Sequence, residues 1–385
     1  MRARTLLLFV LLPVVFLPTL AAAQTYTYST LADFPATEGP FAAVSLIIDA
    51  EGNLYGTSRY GGIYGTDGGD GTVYKVTPAG VVTVLHSFGN GNDGKSPIGT
   101  LTRDAKGNIY GTTIAGGAHG TGTIFRLSPS GVERVLYSFP NPGQIYSLPA
   151  GGVTLDSTGN IYGYAYDYIQ FYSDGGNIFE LTPQGVFSIL YNWCKGQCSA
   201  EPNSPVGQLV PNSAGGFFGA TVGGGGIGTP PGNVFSFSPT GGMVVLHTFT
   251  SPDGAEGGPV LDSAGNLFGI EGPVFQSGGG VYEISAAGAF SMIYTLPSGY
   301  GFQQSNEGTP VLDSSDNLYN TTQTIDGSQI VYKVTPEGTE TVLFTGTADQ
   351  ISSSGVVMDK AGNLYGSCSL CGTNRTGLIY KLTKN

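Results

Sequence analysis

One eight-residue phrase recurs seven times, and little else in the chain constrains its fold so tightly. It reads "DAEGNLYG" at 49–56, "DAKGNIYG" at 104–111, "DSTGNIYG" at 156–163 and "NSAGGFFG" at 212–219. It returns as "DSAGNLFG" at 262–269, "DSSDNLYN" at 313–320 and "DKAGNLYG" at 359–366. The fifth residue of each copy falls at 53, 108, 160, 216, 266, 317 and 363, so the units are 46 to 56 residues long. A period near 50 belongs to propeller blades. Each unit holds four apolar runs split by turn residues, which reads as a four-stranded meander. In the first unit strand A is "SLIID", strand B "NLYGTS", strand C "TVYKVT" and strand D "VVTVLHSF". Past residue 24 no window sustains a 3.6-residue period, so the chain is all-β.

The turns carry their own chemistry. In the A–B turn an Asp side chain can accept from backbone two residues on, and Gly supplies a positive φ. The C–D turns, "TPAG", "SPSG" or "TPQG", use Pro to preset φ. These residues are read as turn formers and not as ligand contacts. Sheets with apolar residues on both faces need cover on both sides, which a radial ring supplies; an open solenoid is the alternative. The seventh unit stops after strand C, at "GLIYKLTKN" (377–385), while "TYTYSTLADF" (25–34) precedes the first strand A. Aligning Phe34 with Phe88 puts Leu31 on Leu85 and Tyr28 on Val82. The expectation is therefore a seven-bladed β-propeller of four-stranded blades, one domain over 24–385, whose N-terminal strand completes the last blade. Burial of Tyr26, Tyr28, Leu31 and Phe34 would hold that closure.

Residues 1–23 stand apart. Arg2 and Arg4 precede the apolar stretch "TLLLFVLLPVVFLPTL", and Ala21-Ala22-Ala23 offers a cleavage site before Gln24, the pattern of a signal peptide. A membrane anchor is the other reading, but Pro13 and Pro18 interrupt a stretch already short for a span. Export as a soluble chain, outside the cell or in the periplasm, is expected, with no membrane span after cleavage near Ala23. Removing this segment takes the net charge from −12 to −14 and leaves 13 Lys and Arg. So acidic a surface argues against nucleic acid, whose binding rests on cationic contacts to phosphate. A monomer is expected. The four cysteines form two close pairs, Cys194/Cys198 and Cys368/Cys371. In an exported protein these read as two local disulfides; a four-cysteine zinc site is the alternative.

Residues 109–126, "IYGTTIAGGAHGTGTIFR", and 54–75, "LYGTSRYGGIYGTDGGDGTVYK", carry a family likeness, with "TVLHSF" at 83–88 trailing the second. They resemble the GloVer tandem repeat of exported bacterial proteins. The likeness covers essentially the whole chain after residue 24, and is weak between strands B and C of the third, fifth, sixth and seventh units. It implies an extracellular, propeller-like repeat protein without an established activity. Members often carry a C-terminal sorting anchor, and the ending at Asn385 is read as favouring free secretion.

In such a meander the D–A and B–C connections share one face. Its long B–C loops are the natural binding surface. The third unit's loop, "AYDYIQFYSDGG" at 165–176, brings Tyr164, Tyr166, Tyr168 and Tyr172, whose rings could stack on sugars or a partner protein or simply pack on each other. Acids gather where strands A begin: Glu38, Asp93, Glu201, Asp253, Glu256 and Glu307. They are read as a solvated rim, with a Ca²⁺-binding collar as the alternative. His86 and His247 share one strand D position with Tyr137, Tyr191, Tyr294 and Phe344, which points to packing; His119 sits alone in a Gly-rich loop. No Ser-His-Asp set or H-E-x-x-H occurs. The inner strands are small or apolar apart from Gln208 and Arg103, and Trp193 is the single Trp. Neither a metal site nor a cofactor is expected. Together these features describe a secreted scaffold for an extracellular glycan or protein, with Tyr164, Tyr166, Tyr168, Tyr172, Glu256 and Glu307 as candidate ligand contacts. The alternative is a polysaccharide or lactone hydrolase or lyase acting through the acidic rim.

Overall fold

The computed structural model describes residues 25–34, 45–65, 69–140, 145–169, 172–193, 204–223, 231–250, 254–272, 279–297, 300–301, 308–324, 326–352, 354–373 and 375–385. Seven antiparallel sheets form a propeller ring, one per sequence unit, each running from an inner strand A to an outer strand D. In the sixth blade the inner strand comes as two pieces, Tyr300–Gly301 and Val311–Leu312, both paired with Leu318–Thr324. Strands B and C are covered on both faces and the outer strands D on a single face. Strand B of the first blade, Leu54–Ser58, is wholly buried, whereas strand D, Val82–Ser87, mixes half-buried and exposed positions.

The repeated phrase explains itself in the sheet. Its Gly lies directly across from the aromatic residue of strand C: Gly111 from Phe125, Gly163 from Phe179, Gly366 from Tyr380. A Cβ on Gly111 would stand 2.7 Å from the Phe125 ring and 2.9 Å from Leu101. The ring of strand C lies over the glycine, so a large residue and an absent one fill one layer. The phrase's Asp closes the A–B turn. Asp49 Oδ1 accepts the backbone N–H groups of Glu51 and Asn53, while its Oδ2 accepts from the Asn53 amide and, at 2.9 Å, the Tyr55 hydroxyl. In the fourth unit Asn212 keeps the two backbone bonds, and Gly216 and Phe218 offer no side-chain donor.

Packing is organised by interface and not by blade. Among the described residues there are seven apolar clusters, each drawn from two neighbouring blades. Between blades one and two, Tyr55, Val73 and Phe88 meet Leu101, Ile109 and Phe125. Between blades seven and one, Ala32, Phe34 and Ile379 meet Leu46, Leu54 and Tyr74. The N-terminal strand Tyr26–Asp33 is the outer strand of the seventh blade, antiparallel to Leu378–Lys384 from Tyr26 opposite Lys384 to Asp33 opposite Leu378. Beyond the ladder, Phe34 N–H donates to Gly377 O and Asn385 N–H to Thr25 O. The closure anticipated from the sequence is thus present, with one correction to its energetics. Phe34 and Ala32 are buried, but Tyr26, Tyr28 and Leu31 are only half-buried and do not each contribute a full core residue. The two tyrosines instead tie the end strand down by donating their hydroxyls to Gly362 O and Gln350 O.

Two predictions follow the geometry of closure and turns. Phe34→Ala should cost about 3–5 kcal/mol, as large-to-small core changes do, and Tyr26→Phe about 1–3 kcal/mol, since its hydroxyl bonds to Gly362 O and also meets the Tyr319 hydroxyl, both read by urea denaturation. Burial alone would raise the carboxyls of Asp49, Asp104, Asp156, Asp313 and Asp359, but the hydrogen bonds they accept outweigh it and hold each below its ordinary value. A carboxyl lowered by folding stabilises above its unfolded pKa, about 3.9 for Asp, and that contribution disappears as pH falls through the folded value. Melting temperature should therefore drop below about pH 4. The drop should be shallower in Asp156→Asn, which retains the two backbone bonds in the manner of Asn212.

Candidate functional site

Among the described residues we consider three places for a ligand: the axial channel, the face carrying the B–C connections, and a groove on the outer wall between the first two blades. The channel is lined by inner strands of all seven blades and encloses about 620 Å³. Its polar side chains are hydroxyls and one amide, among them those of Thr100, Thr102, Thr154, Ser354 and Gln208. No carboxylate or imidazole is among the described residues that line it. Gln208 Nε2 reaches past the third blade to Thr102 Oγ1 of the second, 2.6 Å away, and also donates to Val153 O. Thr154 Oγ1 donates to Leu209 O at 2.6 Å. These side chains stitch neighbouring inner strands together. The strands meet closely: Gly207, at φ +66°, lies so near Gly258 that a Cβ would fall 2.1 Å from its nitrogen. Arg103 does not enter the channel; its guanidinium lies 5.5 Å over the Tyr55 ring.

The third blade's B–C segment is not a loop but a long hairpin. Strands Ile161–Ile169 and Tyr172–Leu181 pair out to Ile169 opposite Tyr172, past where the first blade's five-residue strand B ends. Its tyrosines part company. Tyr164 is 1% exposed and sits 6.3 Å from the Trp193 ring, so it belongs to the core between blades three and four and reaches no external ligand. Tyr166 is half-buried and donates to Pro205 O at 3.0 Å. Tyr168 and Tyr172 stand on the outer part of the hairpin. Strand alternation does not separate Tyr164 from Tyr166; what sets it apart is its depth in the ladder, opposite the buried Ile178. Glu256 lies half-buried on Ala255–Leu261 opposite Ile270. Glu307, with Glu38, Glu201 and Asp253, lies outside the described residues, as do Cys194 and Cys198. Cys368 and Cys371 are joined by a disulfide.

The outer groove arises from a regular feature. At each interface, the strand D position of His86 faces the start of strand D in the next blade. Tyr137 stacks on Phe187 at 4.2 Å and His247 on Phe290 at 3.5 Å, and Phe344 stacks on Tyr28 at 4.8 Å. Tyr294 donates to Glu340 at 2.6 Å. Tyr191 shares a cluster with Met243, and Ala32 with Val82. At the remaining interface the couple is His86 and Glu133, and Asp93 of the D–A connection joins it. His86 Nε2 lies 2.8 Å from Asp93 Oδ2, and Asp93 Oδ1 accepts the Gly94 N–H at 2.6 Å. One ligand atom from each of the three side chains falls within 4.8 Å of the others. Burial, with the nearby Asp93 carboxylate, pushes the Glu133 carboxyl up to about 7 against a downward pull from His86. Packing, as read for the shared strand D position, therefore describes His247 but not the whole of His86. The signal available in the sequence was Glu133 at a position that Phe187 and Phe290 fill elsewhere.

The profile of the Gloeobacter/Verrucomicrobia repeat matches residues 14–209, just over half of the chain. A search of the curated proteins found no match. Among solved structures, two extracellular domains assigned to hybrid two-component systems of B. thetaiotaomicron resemble it. One aligns with TM-score 0.56 at 9% identity, covering 92% of this chain and 39% of the other. The second aligns with TM-score 0.55 at 14% identity, covering 92% and 41%. A protein from Lactobacillus plantarum aligns with TM-score 0.52 at 14% identity, covering 81% and 87%. At such identities the likeness is one of fold. Among the described residues no helix is long and apolar enough to cross a membrane.

The burial of Tyr164 yields a direct test of its role. Its hydroxyl is enclosed without a hydrogen-bond partner, and an enclosed unpaired group costs about 1–3 kcal/mol. Tyr164→Phe should leave any ligand binding unchanged and hold or raise the urea midpoint.

Proposed function

The chain belongs to the Gloeobacter/Verrucomicrobia repeat family, and from the ring on which it carries that repeat we propose that it is an exported binding scaffold for an extracellular glycan or protein. The observation that carries this reading is the hairpin of the third blade. Its two strands extend the sheet beyond the face where the D–A and B–C connections emerge, taking Tyr168 and Tyr172 with them. Aromatic rings on a projecting, hydrogen-bonded arm offer area at low conformational cost, which suits sugar faces and protein surfaces. The channel favours the same reading, since its described lining offers hydroxyls and an amide but no acid, base or nucleophile set. The positively charged start, the apolar stretch and Ala21-Ala22-Ala23 support export with cleavage near Ala23.

The test is a glycan array and a pull-down against extracellular extracts, run with the parent chain and with a variant whose residues 168–173 are replaced by a tight turn, which keeps the Tyr166 bond to Pro205 O. Ligands held by the parent should be lost by the variant, while the melting temperature stays near that of the parent. Binding that survives the replacement would move the site off this hairpin. Turnover of a bound polysaccharide or lactone would replace the scaffold reading with a hydrolytic one.

A further inference from the structure

We infer that His86, Asp93 and Glu133 form a binding site for one divalent transition-metal cation of the zinc type, in the groove between the first and second blades. The site is assembled from three segments: the outer strand Val82–Ser87, the D–A connection that follows it, and the outer strand Glu133–Ser138 of the next blade. Imidazole nitrogen with carboxylate oxygen is a donor set that suits zinc and its neighbours. Such donors bind at about 2.0–2.2 Å, which places any two of them about 3–4 Å apart around one ion. The three side chains already converge within 4.8 Å, so small rotations that open the 2.8 Å His86–Asp93 contact and bring Glu133 inward complete the geometry.

A second observation points the same way. Glu133 Oε1 is enclosed and accepts no hydrogen bond, although it stands beside His86 and Asp93. The His86–Asp93 contact satisfies those two groups and leaves the glutamate oxygen without a partner. A second carboxylate brought beside the first in a partly enclosed place is costly unless positive charge joins them. A cation bound by both would remove that cost. The Gly94 N–H on Asp93 Oδ1 orients the carboxylate as outer-shell donors orient metal ligands. The groove, about 780 Å³ and walled in part by Asn90, Asn92 and Ser138, admits the water a four-coordinate ion would still need. Calcium fits poorly, since it takes about 6–8 oxygen ligands and this set supplies three protein donors, one of them nitrogen.

The ring supplies an internal control. His247 occupies the same strand D position as His86, but its partner in the next blade is Phe290, with no carboxylate at the place of Glu133. The experiment is a calorimetric titration of the purified, chelator-stripped chain with zinc chloride, with bound metal counted by mass spectrometry after gel filtration. One zinc per chain is expected, with affinity falling at least tenfold in Glu133→Gln and in His86→Phe and unchanged in His247→Phe and His119→Ala. Phe stands at the equivalent position 344, and circular dichroism of the zinc-free variants checks that they fold. Absence of zinc binding at millimolar metal would overturn the site. Binding undiminished by both substitutions, or lost only in His247→Phe or His119→Ala, would overturn it equally. Calcium taken up by a chain that ignores zinc would overturn the cation class.

Discussion

Everything in this ring depends on ten residues at one end of the chain finding the last nine at the other. The strand Tyr26–Asp33 supplies the outer strand of the seventh blade, and in doing so it serves two interfaces at once. Ala32 and Phe34 enter the apolar cluster with the first blade, while Tyr26 and Tyr28 pack on the cluster with the sixth. Because the core is a set of seven interfaces and no single central mass, an open ring would leave unmatched surface on two blades. The closing ladder spans some 350 residues of sequence, so its loop entropy is large in absolute terms. That cost grows only with the logarithm of loop length, and six folded blades have already brought the ends together.

Much of this was legible before any coordinates, because each repeated residue answers to a local rule. Asp, Gly and Asn in the phrase make an A–B turn whose hydrogen bonds are the same in blade after blade. The Gly after Tyr has no rule within its own strand; its reason lies opposite, in the ring of Phe125 or Tyr380. Sequence reading went astray where a residue's meaning comes from another unit. Tyr164 looked like one of four loop tyrosines, yet it points into the interface with the fourth blade, where Gly219 makes room for its hydroxyl. His86 was read by comparison with its own column, as a packing residue. What distinguishes it is Glu133 one unit later, a partner that strand alignment alone does not bring forward.

The channel and the rim illustrate how one scaffold divides its tasks. Along the axis, Thr102, Thr154 and Gln208 spend their hydrogen-bonding capacity on backbone carbonyls and on each other. Groups so engaged make a rigid hub. Groups at the periphery are less committed: the third hairpin is longer than its counterpart in the first blade, and the groove between blades one and two gathers charge. A stiff centre with variable edges is what lets one architecture carry unrelated ligands.

The couples that join successive outer strands have a further consequence. The seven fall into six kinds: ring on ring (twice), imidazole on ring, tyrosine on glutamate, tyrosine beside methionine, alanine beside valine, histidine with two acids. Some blades share a mark, as Tyr137 and Phe344 each stack on a ring, but the couple of Ala32 with Val82 and that of His86 with two acids are not repeated. A unit moved between those seams would set Ala32 against Glu133 or His86 against Val82, leaving a carboxylate or an imidazole without its partner. Repeat proteins with uniform seams can gain and lose units freely. In this ring those two seams flank the first blade and single out its place between the seventh and the second.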